Sequence, residues 1–164
     1  YKRQTVGGSV YARFGFSDIL TCLLALDAYV ELYHGGMVPI KEFAARPVHR
    51  DDRDILVRVV IKKDGRKAAY ISQRNSSTDF PLLAVCAANL GNQWFVSIGA
   101  RPAKAALVEF TEDNFDTIKE MVKQAVDAVS YGDNTRGSGQ YRHSLAVVYV
   151  RRLMERLKGR SVSR

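Results

Sequence analysis

Adjacent glycines near the start of the chain, Gly7 and Gly8, form the segment best suited to bind an anionic group. Without a Cβ, their backbone N–H groups can approach a ligand closely, and successive N–H groups in a turn make a concave anion site. Ser9 adds a hydroxyl group, and Asp18 precedes an apolar run, where a carboxylate can accept a hydrogen bond from a ribose or an amide. Such a glycine pair is more often a simple tight turn, because a phosphate loop ordinarily follows a strand. These residues alone leave both interpretations open.

The cysteines and histidines do not form a metal-binding pattern. Cys22 and Cys86 lie inside apolar segments, without the Cys-x-x-Cys spacing typical of zinc sites. We interpret them as small buried side chains in a reducing compartment. His34, His49 and His143 are scattered along the chain, and no residue has the neighbours expected of a general acid or base. The sequence therefore predicts neither a metal site nor a catalytic residue.

The net charge of +8 raises the question of nucleic-acid binding, which a concentrated basic surface would favour. The Lys and Arg residues are instead spread over loops, the segment 62–67 and a C-terminal run from Arg151 to Arg164. Aromatic residues do not alternate with these clusters, as single-strand binding requires. We therefore interpret the charge as a solvated surface or as a contact to an acidic partner protein.

Length and hydropathy predict a cytoplasmic protein. The chain has 164 residues, enough for one domain or two small ones. No apolar stretch approaches the roughly 20 residues of a membrane span. The densest stretch, residues 19–28, contains Thr21 and Asp27, and the polar N-terminus lacks a signal-peptide pattern.

Hydrophobic periodicity and turn residues predict strands paired by hairpins and followed by helices, which is an α+β fold with a mostly antiparallel sheet. Ser17 is a suitable N-cap for the first helix, and Asp64-Gly65 is the strongest hairpin signal. The predicted helices cover residues 18–27, 112–129 (capped by Thr111) and 140–157, and one further helical turn is predicted at 41–45. The predicted strands cover residues 29–33, 55–61, 68–73, 82–90 and 93–98. Extended connections are predicted at 38–40 and 101–109. Small residues in the strand 82–90 indicate that another element packs closely against it.

The order of short segments along the whole chain resembles the FAD-binding (medium) subunit of molybdenum hydroxylases, the family of xanthine dehydrogenase and carbon monoxide dehydrogenase. The segments that carry the resemblance are Thr5-Val6-Gly7-Gly8-Ser9, Phe16-Ser17-Asp18-Ile19-Leu20, 24–32, Asp54-Ile55-Leu56, Asp79-Phe80-Pro81, 97–102, 133–138 and Tyr141-Arg142. Each match alone is weak, but their order and their coverage from end to end are specific.

The resemblance implies a flavoprotein of the vanillyl-alcohol-oxidase type, in which FAD lies between two subdomains. It implies that residues 1–66 are the C-terminal half of the second FAD-binding subdomain, that residues 67–164 are a separate C-terminal domain, and that the first subdomain is missing ahead of Tyr1. The cofactor-binding residues that it implies are Thr5, Val6, Gly7, Gly8 and Ser9 at the diphosphate and ribityl region, Asp18 as a polar contact, and the backbone of Leu56 at the border of the cofactor.

The function implied by the resemblance is electron relay within a complex. A molybdenum cofactor on a partner subunit hydroxylates the substrate, and electrons then pass through iron–sulfur clusters to FAD and on to NAD or another acceptor. The partners implied are the iron–sulfur and molybdopterin subunits. This chain would orient the flavin and tune its potential, while the flavin carries the redox chemistry.

Three departures from the family pattern bear on the flavin. Ser9 stands where many members have Asn, Arg13-Phe14-Gly15 replaces a common Ala-Ser-Pro segment, and the strand before Arg74 lacks the Lys of many members. Whether Arg74 takes the place of that Lys is open. The missing Lys, together with the missing glycine-rich loop of the first subdomain, sustains a second hypothesis, a non-catalytic scaffold or assembly module of the same fold. A basic nucleic-acid-binding domain is the third, which the charge distribution disfavours.

Overall fold

The computed structural model describes residues 5–47 and 53–159, which fold into two antiparallel sheets with helices. His49 and the end of the basic C-terminal run lie outside the described residues. The predicted α+β class and the antiparallel pairing are confirmed.

The first half of the chain forms a three-stranded sheet with helices. Its elements are α1 (Val6–Tyr11), α2 (Asp18–Ala25), β1 (Tyr29–Leu32), β2 (Gly36–Pro39), α3 (Ile40–Ala45) and β3 (Leu56–Val60). The strand order is β2-β1-β3, and both pairs are antiparallel. Ser17 caps α2 as predicted, because its Oγ accepts a hydrogen bond from the Leu20 N–H at 3.2 Å. Val30 of β1 and Phe43 of α3 pack against α2 in a core without solvent exposure.

The second half forms a four-stranded sheet followed by two helices. Its elements are β4 (Lys67–Gln73), β5 (Leu83–Leu90), β6 (Gln93–Gly99), β7 (Ala106–Thr111), α4 (Ile118–Asp127) and α5 (Gly139–Leu157). Neighbouring strands pair in chain order, all antiparallel. The predicted hairpin of 82–90 with 93–98 is confirmed, whereas the connection predicted at 101–109 is in part the strand β7. The last helix begins within one residue of its predicted start.

Strand β5 is buried on both faces of the second sheet, since successive side chains of a strand point to opposite faces. On one face, Val85 and Ala87 pack with the apolar stripes of α4 and α5. On the other face, Cys86 and Ala88 pack with Ala25 of α2. The small side chains of β5 therefore admit helices from both sides, as the sequence indicated.

The Asp64-Gly65 turn does not join a hairpin, so that prediction is wrong. The strand before it pairs with β1 and the strand after it pairs with β5, in two different sheets. The Asp64 carboxylate accepts hydrogen bonds from the backbone N–H of Arg66 at 3.2 Å and from its guanidinium at 2.7 Å, while Arg66 also donates to the Ala25 carbonyl oxygen at 3.2 Å. An Asp-Gly pair determines the local bend, but strand pairing follows from the apolar face that each strand buries.

The helix predicted over 112–129 is shorter and begins later. Glu112–Asn114 form a single 3₁₀ turn, and α4 starts after Thr117. Thr117 and Glu120 form a capping box: the Thr117 Oγ1 accepts from the Glu120 N–H at 3.2 Å, and the Glu120 carboxylate accepts from the Thr117 N–H at 3.2 Å. This Thr-x-x-Glu signal is visible in the sequence. Thr111, the predicted cap, is instead the last residue of β7.

Gly99 of β6 faces α2, and a Cβ at this position would lie 2.3 Å from the Thr21 Oγ1. We expect Gly99→Ala to lower the free energy of unfolding by about 1–3 kcal/mol, the usual effect of overpacking a core. Denaturant unfolding followed by circular dichroism measures the change. The second substitution Thr21→Ala removes the oxygen that the added methyl group at position 99 would contact, so the double variant should recover part of the lost free energy of unfolding. A double variant less stable than Gly99→Ala alone would contradict this contact.

Candidate cofactor site

Gly7 and Gly8 lie in the first turn of helix α1. Thr5 is the N-cap residue, and its Oγ1 accepts a hydrogen bond from the Gly8 N–H at 3.0 Å. Neither glycine has a positive φ. The interpretation of this pair as a tight turn is therefore wrong: the Thr5 cap supports a helix here although glycine has a low helix propensity.

Within the described residues, the two glycines leave open space at the start of α1. Among residues 5–47 and 53–159, a Cβ at Gly7 would meet no atom within 4 Å, and one at Gly8 would meet only the Thr5 Oγ1, at 3.2 Å. The first N–H groups of a helix, here those of Val6 and Gly7, have no acceptor within the helix and attract negative charge. The two glycines therefore put no side chain of their own between these donors and an anionic group. This arrangement fits the diphosphate of a nucleotide cofactor.

The Ser17 hydroxyl ties α1 to the start of α2. The Ser17 Oγ donates to the Ser9 carbonyl oxygen at 3.0 Å, whereas the Ser9 Oγ donates to the Thr5 carbonyl oxygen at 3.1 Å, within α1 and its cap. Both serines are buried. The Ser9 hydroxyl thus bonds to the protein backbone, and the Ser9 carbonyl oxygen receives the bond that positions α1 relative to α2.

Asp18 is the first residue of α2, and its carboxylate is bound by residues from the end of β4. The Tyr70 hydroxyl donates to one carboxylate oxygen, and the Arg74 guanidinium pairs with the other. Arg74 also donates to the Asp79 carbonyl oxygen at 2.6 Å. Burial, and then the hydrogen bond to Asp18, raise the pKa of Tyr70, so its hydroxyl remains a donor. Asp18 therefore joins the first half of the chain to the second sheet, which the sequence did not predict.

Leu56 is the first residue of β3, and the preceding Asp54 orders this strand start. The Asp54 carboxylate accepts hydrogen bonds from the backbone N–H groups of His34 at 3.0 Å and Gly35 at 2.9 Å. These bonds, foremost that from His34, lower the pKa of Asp54. The Asp54 N–H donates to the Tyr11 hydroxyl oxygen at 3.0 Å. Because Tyr11 ends α1, the start of β3 lies beside that helix.

The predicted cofactor residues are thus neighbours in the fold, since α1 contacts both α2 and β3. Thr5, Val6 and Gly8 are exposed at the start of α1, whereas Ser9 is buried beneath them. Asp18 is engaged by Arg74 and Tyr70 from the other half of the chain. Contact of these residues with a cofactor stays a prediction.

Three exposed phenylalanines lie next to the Asp18 ion pair. The Phe14 and Phe16 rings are stacked with centroids 5.0 Å apart, and the Phe80 centroid lies 4.4 Å from that of Phe16. Arg136 extends this patch, because its guanidinium lies 5.6 Å from the Phe80 ring centre and 3.3 Å from the Asp79 carboxylate. Phe16, Phe80 and Arg136 line a cavity of about 280 Å³. Aromatic faces of this kind stack well on planar rings. The sequence indicated only that Phe14 is bulky, and it did not predict that the three phenylalanines lie together.

The chemistry available here is that of binding. Among residues 5–47 and 53–159, no group of three or more His, Cys, Asp or Glu side chains is placed to hold a metal ion. Within the same ranges, no helix is both long and apolar enough to cross a membrane. The residues around α1 offer backbone N–H donors, a carboxylate already paired with Arg74, and exposed aromatic faces.

We expect Asp18→Ala to lower the free energy of unfolding by about 1 kcal/mol, because a partly exposed ion pair is screened by solvent. Arg74→Met should have a similar effect, since both variants remove the same contact. The two effects should therefore not add in the double variant. Urea unfolding of the wild type, both single variants and the double variant measures the coupling. Full additivity would show that the pair contributes nothing to stability.

Comparison with known proteins shows which solved structures share this fold. No protein-family model and no curated protein sequence matches the chain. Among solved structures, a chain of quinoline 2-oxidoreductase from Pseudomonas putida 86 is 20% identical with a TM-score of 0.76, and the match covers 96% of this chain and 62% of that one. A chain of carbon monoxide dehydrogenase from Hydrogenophaga pseudoflava, in a form that lacks the Mo-pyranopterin moiety, is 16% identical with a TM-score of 0.76, over 98% and 62%.

A third match is a chain of the Cu,Mo-CO dehydrogenase in its cyanide-inactivated form, 18% identical with a TM-score of 0.75, over 96% of this chain and 62% of that one. The α+β fold of this chain is therefore shared with chains of quinoline 2-oxidoreductase and of carbon monoxide dehydrogenases. This chain spans less than two thirds of the length of the solved chains that it matches.

Proposed function

We propose that this chain is part of the FAD-binding subunit of a molybdenum hydroxylase and that α1 contacts the cofactor. The observation that carries the proposal is the open space at the first turn of α1, where no described residue has an atom within 4 Å of a Cβ at Gly7. The fold in which this turn lies is shared with quinoline 2-oxidoreductase over 96% of the chain. Iron–sulfur and molybdopterin subunits are the proposed partners.

The residues of this chain have binding and positioning roles in the proposed function. The N–H groups of Val6 and Gly7 donate to the cofactor diphosphate, with Thr5 and Gly8 shaping the same turn, and the backbone of Leu56 borders the cofactor. Ser9 holds α1 in place through its carbonyl oxygen, which accepts a hydrogen bond from the Ser17 hydroxyl at 3.0 Å. When bound, FAD supplies the redox chemistry that links the iron–sulfur clusters to NAD or another acceptor.

The proposal includes a division of the chain between residues 1–66 and 67–164. Each part contains one of the two sheets, which supports this boundary. The parts also share contacts, because α2 covers one face of the second sheet and Asp18 pairs with Arg74. We propose that residues 1–66 belong to the FAD-binding region and that the second part supports it through α2.

A non-catalytic scaffold of the same fold is the second candidate, and one observation favours it. The Asp18 carboxylate, expected to contact the cofactor, is bound by Tyr70 and Arg74 within this chain. In this alternative the ion pair is purely structural, and the exposed Phe14 and Phe16 contact another protein. The presence or absence of flavin in the complete subunit distinguishes the two candidates.

We expect the complete subunit to retain FAD through gel filtration and this chain alone to bind it far more weakly. Each hydrogen bond to a charged group contributes roughly 1.5–3 kcal/mol, so loss of a few cofactor contacts abolishes stable binding. Fluorescence titration with FAD measures both affinities. A complete subunit that cannot be loaded with FAD would favour the scaffold. Micromolar binding by this chain alone would contradict a site shared with further protein.

A further inference from the structure

Two cysteines that are far apart in the sequence meet where α2 packs on the second sheet. Cys22 lies in α2 and Cys86 in β5, and both are free thiols. They belong to one cluster together with Ala25 and Ala88, small residues that let helix and strand approach closely. The contact therefore places two thiols at the junction between the two halves of the chain.

The environments of the two thiols differ in a way that assigns them separate roles. Cys22 is partly exposed, whereas Cys86 is buried, so a small oxidant reaches Cys22 first. A hydrogen bond with the Cys86 thiol lowers the pKa of Cys22. The same hydrogen bond, together with burial, raises the pKa of Cys86. Since the thiolate is the reactive form, Cys22 is the nucleophile of the pair.

Ser97 adds a polar group to this junction. It is paired with Cys86 in the β5–β6 register, and residues so paired share one face of the sheet with Cβ atoms about 4.5–5.5 Å apart. Ser97 is fully buried, and its Oγ has no hydrogen-bond partner within the described part of the chain. A buried hydroxyl without a partner is rare. Ser97 is therefore a buried polar neighbour of Cys86 with an unused hydrogen bond among the described residues.

We propose that Cys22 and Cys86 form a peroxide-sensitive dithiol that closes to a disulfide between α2 and β5. The Cys22 thiolate attacks one oxygen of hydrogen peroxide; an S–O bond forms, the O–O bond breaks, and hydroxide leaves and is protonated to water. The Cys86 sulfur then attacks the Cys22 sulfenic sulfur; the S–S bond forms, the S–O bond breaks, and the oxygen leaves as water with the Cys86 proton. The thiols lose two electrons, and peroxide is reduced to two waters.

The disulfide would link the two halves of the chain covalently at the turn of α2 that follows Asp18. A cross-link between residues so distant in sequence restricts the unfolded chain strongly. The oxidised protein should therefore unfold at a higher temperature than the reduced protein. The inference does not depend on the proposed function, because it concerns thiols of this chain alone.

The test treats the full chain with hydrogen peroxide, blocks remaining thiols with an alkylating agent and digests it with trypsin without reductant. We expect the tryptic peptides 14–41 and 75–104 to appear as one cross-linked species whose mass is lower by two hydrogens than the sum of the peptides. Dithiothreitol should separate them. A cross-link between two copies of the chain, or oxidation of Cys22 to sulfinic acid without any cross-link, would overturn the proposal.

Variants that lack one cysteine test which thiol reacts with peroxide and which thiol then closes the disulfide. In Cys86→Ser, Cys22 should stop at sulfenic acid and react with dimedone, whereas Cys22→Ser should leave Cys86 unmodified under the same treatment. Equal peroxide reactivity of the two cysteines in these variants would contradict the assigned roles. If one variant does not fold, the cross-link in the wild-type chain and its melting temperature with and without dithiothreitol still decide the proposal.

Discussion

Replacement of Arg142 by methionine is expected to lower the free energy of unfolding by about 3–5 kcal/mol, because several buried acceptors lose a charged donor and each such loss costs about 1–3 kcal/mol. Arg142 lies in the first turn of α5 and has no exposed surface. Its guanidinium donates to the carbonyl oxygens of Leu82 at 2.9 Å, Gly132 at 2.6 Å and Gly137 at 2.5 Å, and to the Asn134 Oδ1 at 2.6 Å.

The physical reason is that one side chain serves four acceptors on two segments. It joins the residue before β5 to the loop that precedes α5. Methionine would fill the volume but remove this donor from all four oxygens, of which the Gly137 carbonyl and the Asn134 Oδ1 keep one backbone N–H donor each. An unsatisfied buried acceptor contributes about 1–3 kcal/mol of destabilisation. The total remains below the sum over four acceptors because part of this loop is exposed and can turn to water.

Two further variants test this explanation by thermal and denaturant unfolding. Arg142→Lys keeps the charge but loses the planar fork that reaches several acceptors, so it should recover only part of the stability. Arg151→Met makes the same exchange at an exposed position of α5 and should change stability by no more than about 0.5 kcal/mol. Equal effects of Arg142→Met and Arg151→Met would show that the guanidinium bonds are not the cause.

The second large effect is expected from Gly7→Glu in the complete subunit. We expect the affinity for FAD to fall at least tenfold and the flavin content to fall with it, while the flavin-free protein keeps or gains stability. A Cβ at Gly7 meets no atom of the described residues within 4 Å. Glutamate has a higher helix propensity than glycine, and a carboxylate in the first helical turn is favourable. The same carboxylate repels a diphosphate and blocks its approach. Tenfold weaker binding corresponds to about 1.4 kcal/mol, less than one typical charge-assisted hydrogen bond.

The test is specific because Gly7→Glu should lower the flavin content but should not lower the stability of the flavin-free protein. Flavin released from each variant is quantified by absorbance, and the stability of the flavin-free form is measured by thermal unfolding. Gly7→Ala should reduce flavin less than Gly7→Glu, because it adds a methyl group without charge. Ser144→Glu adds the same charge at an exposed position of α5 and should leave flavin content unchanged. Full flavin content in Gly7→Glu would exclude the start of α1 as the diphosphate site.

Local signals in the sequence were sufficient for the fold class and for several elements. The Ser17 cap, the apolar periodicity of α5 and the hairpin of β5 with β6 depend on residues a few positions apart, and the structure confirms each of them. The Thr117–Glu120 capping box is equally local, so the start of α4 was predictable as well. Such signals act through backbone dihedrals and neighbouring hydrogen bonds, which do not depend on the rest of the chain.

The candidate site shows what the sequence alone determined about this protein and what required the tertiary structure. The sequence showed glycines without side chains at residues 7 and 8 and a carboxylate at Asp18. Only the structure showed that Thr5 caps a helix there, that Arg74 and Tyr70 bind Asp18, and that Cys22 meets Cys86. The Asp64-Gly65 bend likewise separates two sheets instead of joining a hairpin. In each case the partner is distant in sequence, and packing of apolar faces decides which distant residues meet.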